Sequence, residues 1–335
     1  MKITVLGSGS WGTALARLLV GNGYDVILWS YSEDEYHSLM RHRENIHFLP
    51  GMMLPDALTF SHDVSVVRGA DIIVCATPSF AVRSVMKMAS PMIEDGQIIL
   101  NVSKGIETDS LSTLAEVIAC EVPQAALSVM SGPSHAEEVA QELPTTNVVA
   151  SHSKQTAERI QDVFMNQYFR VYTNPDVIGV ELGGSLKNVI ALCAGISDGL
   201  GFGDNTKAAL MTRGMVEIIR LGVAMGGLPE TFHGLSGMGD LIVTCTSKHS
   251  RNRRAGIYIG EGLSAEATQQ KIKMVVEGIN TCKAAKHLAD KMGVEMPIVS
   301  QAYQILFEGK SPREATMALM GRNKRHETEV GFLMQ

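Results

Sequence analysis

Cysteine is scarce in this chain and follows no pattern. The five in 335 residues, Cys75, Cys120, Cys193, Cys245 and Cys282, form an odd set with no C-x-x-C pair. That excludes a disulfide-stapled scaffold and points to reduced, packed thiols in a cytoplasmic protein. Positive charge is not in excess: 29 basic against 35 acidic residues leave −6. This is the wrong sign for binding nucleic acid over a general surface, although a local basic pocket stays open. No apolar run approaches the roughly 20 residues that cross a bilayer. The first residues, Met1 to Val5, enter a strand pattern at once, so neither export nor membrane insertion is expected. Low-complexity segments and repeats are absent, and no region pairs low hydrophobicity with high charge, which excludes long disorder. What remains is a compact chain long enough for about two domains of roughly 150 residues each.

The first half alternates short apolar runs with helical patterns. Runs at 2–7, 25–30, 71–78, 97–105 and 126–133 are nearly continuous, as strands buried on both faces of a parallel sheet require. A further run at 145–151 can add a strand. Helical stretches such as 11–22 and 110–120 fall between them, giving βαβ units. After Thr173-Asn174-Pro175-Asp176 the period turns helical, with candidates at 180–196, 206–225, 265–276, 281–292, 298–308 and 312–320. Ser311 and Pro312 open the last of these as N-cap and first helical residue. The expected division is therefore an α/β domain over 1–178 and an all-helical domain over 179–335.

Gly7-Ser8-Gly9-Ser10-Trp11-Gly12 follows the first strand and opens the first helix. The pattern G-x-G-x-x-G serves a dinucleotide. One glycine makes the turn, one lets the pyrophosphate reach the backbone, and one packs helix on strand. The helix N-terminus then faces the phosphates. The end of the second strand, where an acidic residue reads ribose hydroxyls and a basic one a 2′-phosphate, holds Ser30-Tyr31-Ser32, so neither preference follows. Glu33 and Asp34 come slightly late.

Lys187, within GGSLKN, has Gly183, Gly184, Ile190 and Ala191 as its i±3 and i±4 neighbours, so it is an amine without an acidic neighbour on its helix. It either lays its stem over apolar surface or carries its ammonium into a partly desolvated site. Lys104 follows a strand end, where parallel sheets bind ligands, and a loop lysine in solvent is the plainer reading. Gly132-Pro133-Ser134-His135-Ala136 follows another strand end and suits a turn. Ser250-Arg251-Asn252-Arg253-Arg254 reads as a solvated cluster or as a phosphate site at a helix start. Asp240 lies four residues before Thr244, on one face if that segment is helical, and reads as a helix cap after Gly239. His37, His42 and His47 are spaced by five with no acidic cluster, so no metal site is expected.

The motifs GSGSWGTALA, SKGIE (103–107), SGPSHAEE (131–138), ELGGSLKNVIAL (181–192), GLSGMGDLIVTCTS (234–247), SRNRR (250–254) and VVEG (275–278) occur in one order. Together, over about 2–325, they resemble the bacterial NAD(P)-dependent glycerol-3-phosphate dehydrogenases. The resemblance implies a Rossmann-type parallel sheet domain followed by an all-α domain like the C-terminal domain of 6-phosphogluconate dehydrogenase. It implies hydride transfer between NADPH or NADH and dihydroxyacetone phosphate, giving sn-glycerol 3-phosphate for glycerophospholipid synthesis. It makes Lys187 the general acid/base and gives Lys104, Gly132, Ser134, Lys187, Asp240, Ser250, Arg251 and Asn252 to the substrate. Gly7, Gly9, Ser10, Trp11, Gly12, Tyr31, Lys104, Ala136, Arg251, Val275 and Glu277 go to the cofactor. An arginine often stands at Tyr31 in relatives, so the usual NADP preference is open here. A homodimer is implied, without nucleic-acid or membrane partners. A 3-hydroxyacid dehydrogenase of similar architecture and a non-enzymatic dinucleotide sensor are the rivals.

Overall fold

The computed structural model describes residues 1–324, 326 and 327. The strands are β1 Lys2–Leu6, β2 Asp25–Trp29, a hairpin of β3 Glu44–Asn45 and β4 Leu49–Met53, β5 Thr59–Ser61, β6 Ile72–Cys75, β7 Ile98–Asn101, β8 Ala126–Ser131, β9 Thr145–Ala150 and β10 Phe169–Asn174. All but the hairpin form an eight-stranded sheet in the order β10-β9-β8-β7-β6-β1-β2-β5. Residues alternate between two cores, with Ile3, Val5, Ile72, Val74 and Leu100 on one face and Leu6, Ile73, Cys75 and Ile99 on the other. Burial on both faces is why these runs lack polar alternation. Helices α1 Ser10–Gly21, α2 Glu33–His42, α5 Ala136–Ala140 and α6 Lys154–Phe164 supply side chains to the first core. Helices α3 Val82–Ala89 and α4 Leu114–Glu121 cover the second.

The sheet departs from the expected pattern in three ways. The runs at 71–78 and 97–105 yield strands of only 4 residues each, because their last residues leave the sheet as loops beyond the carboxyl ends. β9 is a strand, but it pairs antiparallel with β8, a direction that an apolar run does not encode. β5 and β10 were not visible as apolar runs. Edge strand β10 exposes Arg170 and Tyr172, and half-polar edges alternate.

The second half is helical: α7 Val177–Gly199, α8 Asp204–Ala224, α9 Pro229–Phe232, α10 Asp240–Thr246, α11 Arg251–Gly260, α12 Ala265–Ile272, α13 Glu277–Met292, α14 Pro297–Phe307 and α15 Pro312–Met320. The stretch expected to be one helix over 265–276 stops at Ile272, where Lys273 turns left-handed with φ 56°. Met274 to Val276 then run free of helix. Ser311 caps α15 in a capping box with Glu314, with Pro312 in the first turn.

α7 is the axis of this half. It has the length and hydropathy of a membrane span, contrary to the reading that no segment comes near one, yet 94% of that window is buried inside the protein. Its first turn joins Val129, Val148 and Ala150 through Val177 and Val180. Further along, Gly184 lies against Ser131 at the carboxyl end of β8. Its far end crosses α11 backbone to backbone. A Cβ on Gly195 would stand 2.0 Å from Arg253 O, and one on Gly256 2.0 Å from Leu192 O. Gly199 and Gly260 continue the seam one turn on, so small residues spaced by four let the two helices touch.

Cys75, Cys245 and Cys282 are buried, and burial pushes the thiols of Cys245 and Cys282 up to about 12. Cys120 is exposed, so it is not the packed thiol expected from the sequence.

The seam generates a stability contrast. Alanine favours helix over glycine by about 1 kcal/mol, and Gly21 at the end of α1 has open space for a methyl. Urea unfolding should show Gly21→Ala neutral to slightly stabilised. Gly195→Ala, which meets fixed backbone, should lose about 1–3 kcal/mol.

Candidate active site

Parallel strands β1, β2, β6, β7 and β8 end on one edge, and the chain departs from β1 to opposite sides, through β2 and through β6. That switch point opens a crevice. A cavity of about 610 Å³ runs from Gly7, Gly9 and Trp11 to Lys104, Lys187 and Arg251.

At its first end, Gly7 has φ +116°, and a Cβ there would meet Ala76 O at 2.7 Å. Gly12 does not line the cavity; a Cβ on it would stand 2.0 Å from Gly7 O, so it seats α1 on the turn. Gly9, by contrast, has open space on its Cβ side. The first N–H groups of α1 have no helical acceptor, and Trp11 Nε1 is buried without a partner among the described residues. This bare, electropositive concavity fits a pyrophosphate. Asn45 Nδ2 fixes the loop by donating to Ser8 O at 2.7 Å and Thr13 Oγ1 at 2.8 Å. Tyr31 is 74% exposed at the rim.

At the other end, Lys187 is 6% exposed and Asp240 2%. Lys187 Nζ lies 2.9 Å from Asp240 Oδ1 and donates to Thr244 Oγ1 at 2.6 Å. Lys104 Nζ donates to Asp240 Oδ2 at 2.5 Å and to Gly132 O at 3.2 Å. The view of Lys187 as an amine without an acidic neighbour thus holds only along α7. The carboxylate comes from α10, 53 residues further along the chain by number (240 minus 187). The Lys187 pKa is lowered to about 8: desolvation lowers it most, Asp240 pulls it back up and Lys104 adds to the lowering. Burial works against the charge on Asp240 as well, but Lys104 and Lys187 outweigh it and hold the carboxyl below its usual value. Asp240 caps no helix with its side chain and does not line the cavity; it acts through the lysines.

Ser250 is the N-cap of α11, accepting from Arg253 N at 3.1 Å. Arg251 donates to Val275 O at 3.1 Å. Asn252 lines the cavity, yet its amide also donates to Asn188 Oδ1 and accepts from Gly278 N, both at 2.9 Å. The rest of the basic run turns away: Arg253 pairs with Asp198 at 2.7 Å, and Arg254 is exposed. Glu277 accepts from Ser79 N at 3.0 Å and Ser79 Oγ at 2.5 Å. That links the helical half to the loop after β6. Burial raises its pKa, and the Ser79 hydrogen bonds oppose the rise.

Ser134 and Ala136 line the cavity, whereas Gly132 sits behind it with φ +153° and Asn147 Oδ1 2.6 Å from a virtual Cβ. His135 also lines it; burial, then Lys187, lower its pKa. The sequence reading missed Asn188, Thr244 and Glu35 at the cavity wall. Asn188 and Thr244 lay inside quoted motifs, and only the fold shows which way they face. Among the described residues no group of three metal-ligating side chains forms.

Sequence models described as NAD-dependent glycerol-3-phosphate dehydrogenase N-terminus and C-terminus match residues 2–157 and 176–317. The chain is 53% identical over 332 residues to a glycerol-3-phosphate dehydrogenase (NAD(P)+) of Pelotomaculum thermopropionicum, covering 98% of this chain and 95% of that protein. It is 50% identical to the one of Bacillus subtilis, covering 98% and 96%. The crystal structure of glycerol-3-phosphate dehydrogenase from Coxiella burnetii superposes with TM-score 0.93 at 41% identity, covering 96% of this chain and 99% of that one.

The ion cluster sets a direct expectation. Asp240→Asn leaves buried ammonium groups without their counter-charge, at a cost of about 3–5 kcal/mol. Denaturant unfolding at pH 7 should show that loss. The deficit should narrow as pH rises past about 8, where Lys187 sheds its proton. An equal deficit at pH 7 and pH 9.5 would contradict the charge account.

Proposed function

The chain belongs to the NAD-dependent glycerol-3-phosphate dehydrogenase family and is an NAD(P)-dependent oxidoreductase interconverting dihydroxyacetone phosphate and sn-glycerol 3-phosphate; on that premise we propose that Lys187 moves the hydroxyl proton. The observation that carries this is a desolvated ammonium, held between Asp240 and Thr244, facing the same cavity as the glycine turn. The hydroxyacid and sensor readings give way to the family match.

The nicotinamide, when bound, gives or takes the hydride at carbon 2. In reduction, protonated Lys187 donates to the carbonyl oxygen as charge develops there. In oxidation, its neutral form accepts the hydroxyl proton. Lys104 holds a second positive charge beside that oxygen, and it also keeps the pKa of Lys187 down. Asp240 positions both amines. Ser250, Arg251 and Asn252, with the unpaired N–H groups opening α11, take the phosphate, and Ser134 holds the triose from the β8 side. Gly7, Gly9, Ser10 and Trp11 seat the pyrophosphate over Gly12. Tyr31, Ala136, Arg251, Val275 and Glu277 border the rest of the nucleotide. Gly132 serves the triose through its carbonyl's hold on Lys104.

We place the domain division at 178/179, within the first turn of α7. By the same resemblance the enzyme works in the cytoplasm as a homodimer, feeding glycerophospholipid synthesis. Unpaired thiols suit a reducing compartment, and sedimentation of the purified protein tests the dimer.

Lys187→Ala should lower turnover by about 10²–10⁴-fold while nucleotide titrations still saturate; turnover within a few-fold of the parent would remove Lys187 from the mechanism. The pH profile follows from the sign of the shift. Oxidation of glycerol 3-phosphate needs the neutral amine, so kcat/KM should rise through about pH 8. Reduction needs the ammonium and should fall over the same interval. Stopped assays from pH 6.5 to 10 in both directions check this.

A further inference from the structure

Glu35 stands in the third residue of α2, and its carboxylate turns back toward the sheet. Ser8 Oγ lies 3.0 Å and Ser30 Oγ 3.3 Å from the same oxygen, Oε2. Ser8 lies inside the glycine turn, and Ser30 directly follows β2. The space between those two points, beyond the carboxyl ends of β1 and β2, is where a βαβ nucleotide fold receives the ribose of the adenosine half. A carboxylate delivered from the helix thus occupies the place that the end of β2 leaves to Ser30 and Tyr31. Glu35, Tyr31, Ser32 and Trp29 line the cavity there.

The charges around it reinforce the sign. Glu33 and Asp34 share the first turn of α2, and Glu44 borders the small recess behind Glu35. The cavity's lysines lie at Asp240, and Arg251 faces Glu277 and Glu137. Arg43 donates to Leu58 O and Pro55 O and packs on Phe60. The nearby imidazoles are those of His47, in the same recess, and His62, whose Nδ1 is 3.1 Å from Ser30 O. Among the described residues the lysines and arginines lining the cavity are Lys104, Lys187 and Arg251 alone.

We propose that Glu35 sets the choice between the two nicotinamide dinucleotides in favour of NADH, accepting the ribose hydroxyls and repelling the 2′-phosphate of NADPH. This rests on the dehydrogenase reading above. The test measures binding apart from catalysis: fluorescence titration of NADH and NADPH, without substrate, on the parent, Glu35→Gln and Glu33→Gln. The last removes a charge from the same helix turn but at an exposed position. The parent should bind NADH at least about tenfold tighter than NADPH. In Glu35→Gln that ratio should fall about tenfold, with NADPH gaining and NADH weakening, while Glu33→Gln keeps the parent ratio. A parent that binds NADPH as well as NADH overturns the proposal. So does an unchanged ratio in Glu35→Gln, or an equal change in Glu33→Gln. Parallel kcat/KM values with dihydroxyacetone phosphate separate the two readings. The expected binding ratios with no turnover on either nucleotide support the role of Glu35 and sink the dehydrogenase assignment instead.

Discussion

One buried carboxylate shared by two ammonium groups organises this protein. Asp240 is reached by Lys104 from the sheet domain and by Lys187 from α7. Taking such charges out of water costs several kcal/mol per ion unless each finds a partner, so the cluster requires both halves of the chain to be in place. It leaves a net positive charge at the inner end of the cavity, as a reaction at a carbonyl beside a phosphate calls for. The same competition fixes the working protonation state. Desolvation pushes Lys187 down and the ion pair pushes it up; the balance lies near 8, where an amine can either give or take a proton.

The fold delivers these groups by simple means. Parallel strands end on one edge and their following loops carry Gly7, Lys104 and Ser134. The reversal at β9 sends the chain away from that edge, and β10 follows it. α7 then has to climb back alongside β8 before Lys187 comes level with the loops. A shorter helix would stop below the site.

Much of this was legible in the sequence because it is local. The glycine turn, its strand and its helix lie within 20 residues, and GGSLKN carries its lysine on a helix whose small residues announce close packing. The division into an α/β half and a helical half followed from a change of period. What was not legible depends on contacts between distant segments. Nothing in GMGDLIVTCT shows that Asp240 turns toward Lys187, and the helical rule for salt bridges examines only one helix. Glu35 lies beyond Glu33 and Asp34, themselves late for the end of β2, although one turn of α2 brings it back. Two of the three arginines of SRNRR serve Asp198 or solvent, since on a helix consecutive residues point in different directions. The antiparallel β9 and the half-polar β10 are products of sheet assembly, which an apolar run does not record.

The glycine seam between α7 and α11 makes those helices a single rigid block. With main chain against main chain and no side chains between to slide or repack, and with Asn188 tied to Asn252, Lys187 on α7 and the start of α11 keep a constant spacing. One wall of the crevice is thus set by a single unit, while Gly7, Gly9 and Lys104 reach it from the other half of the molecule.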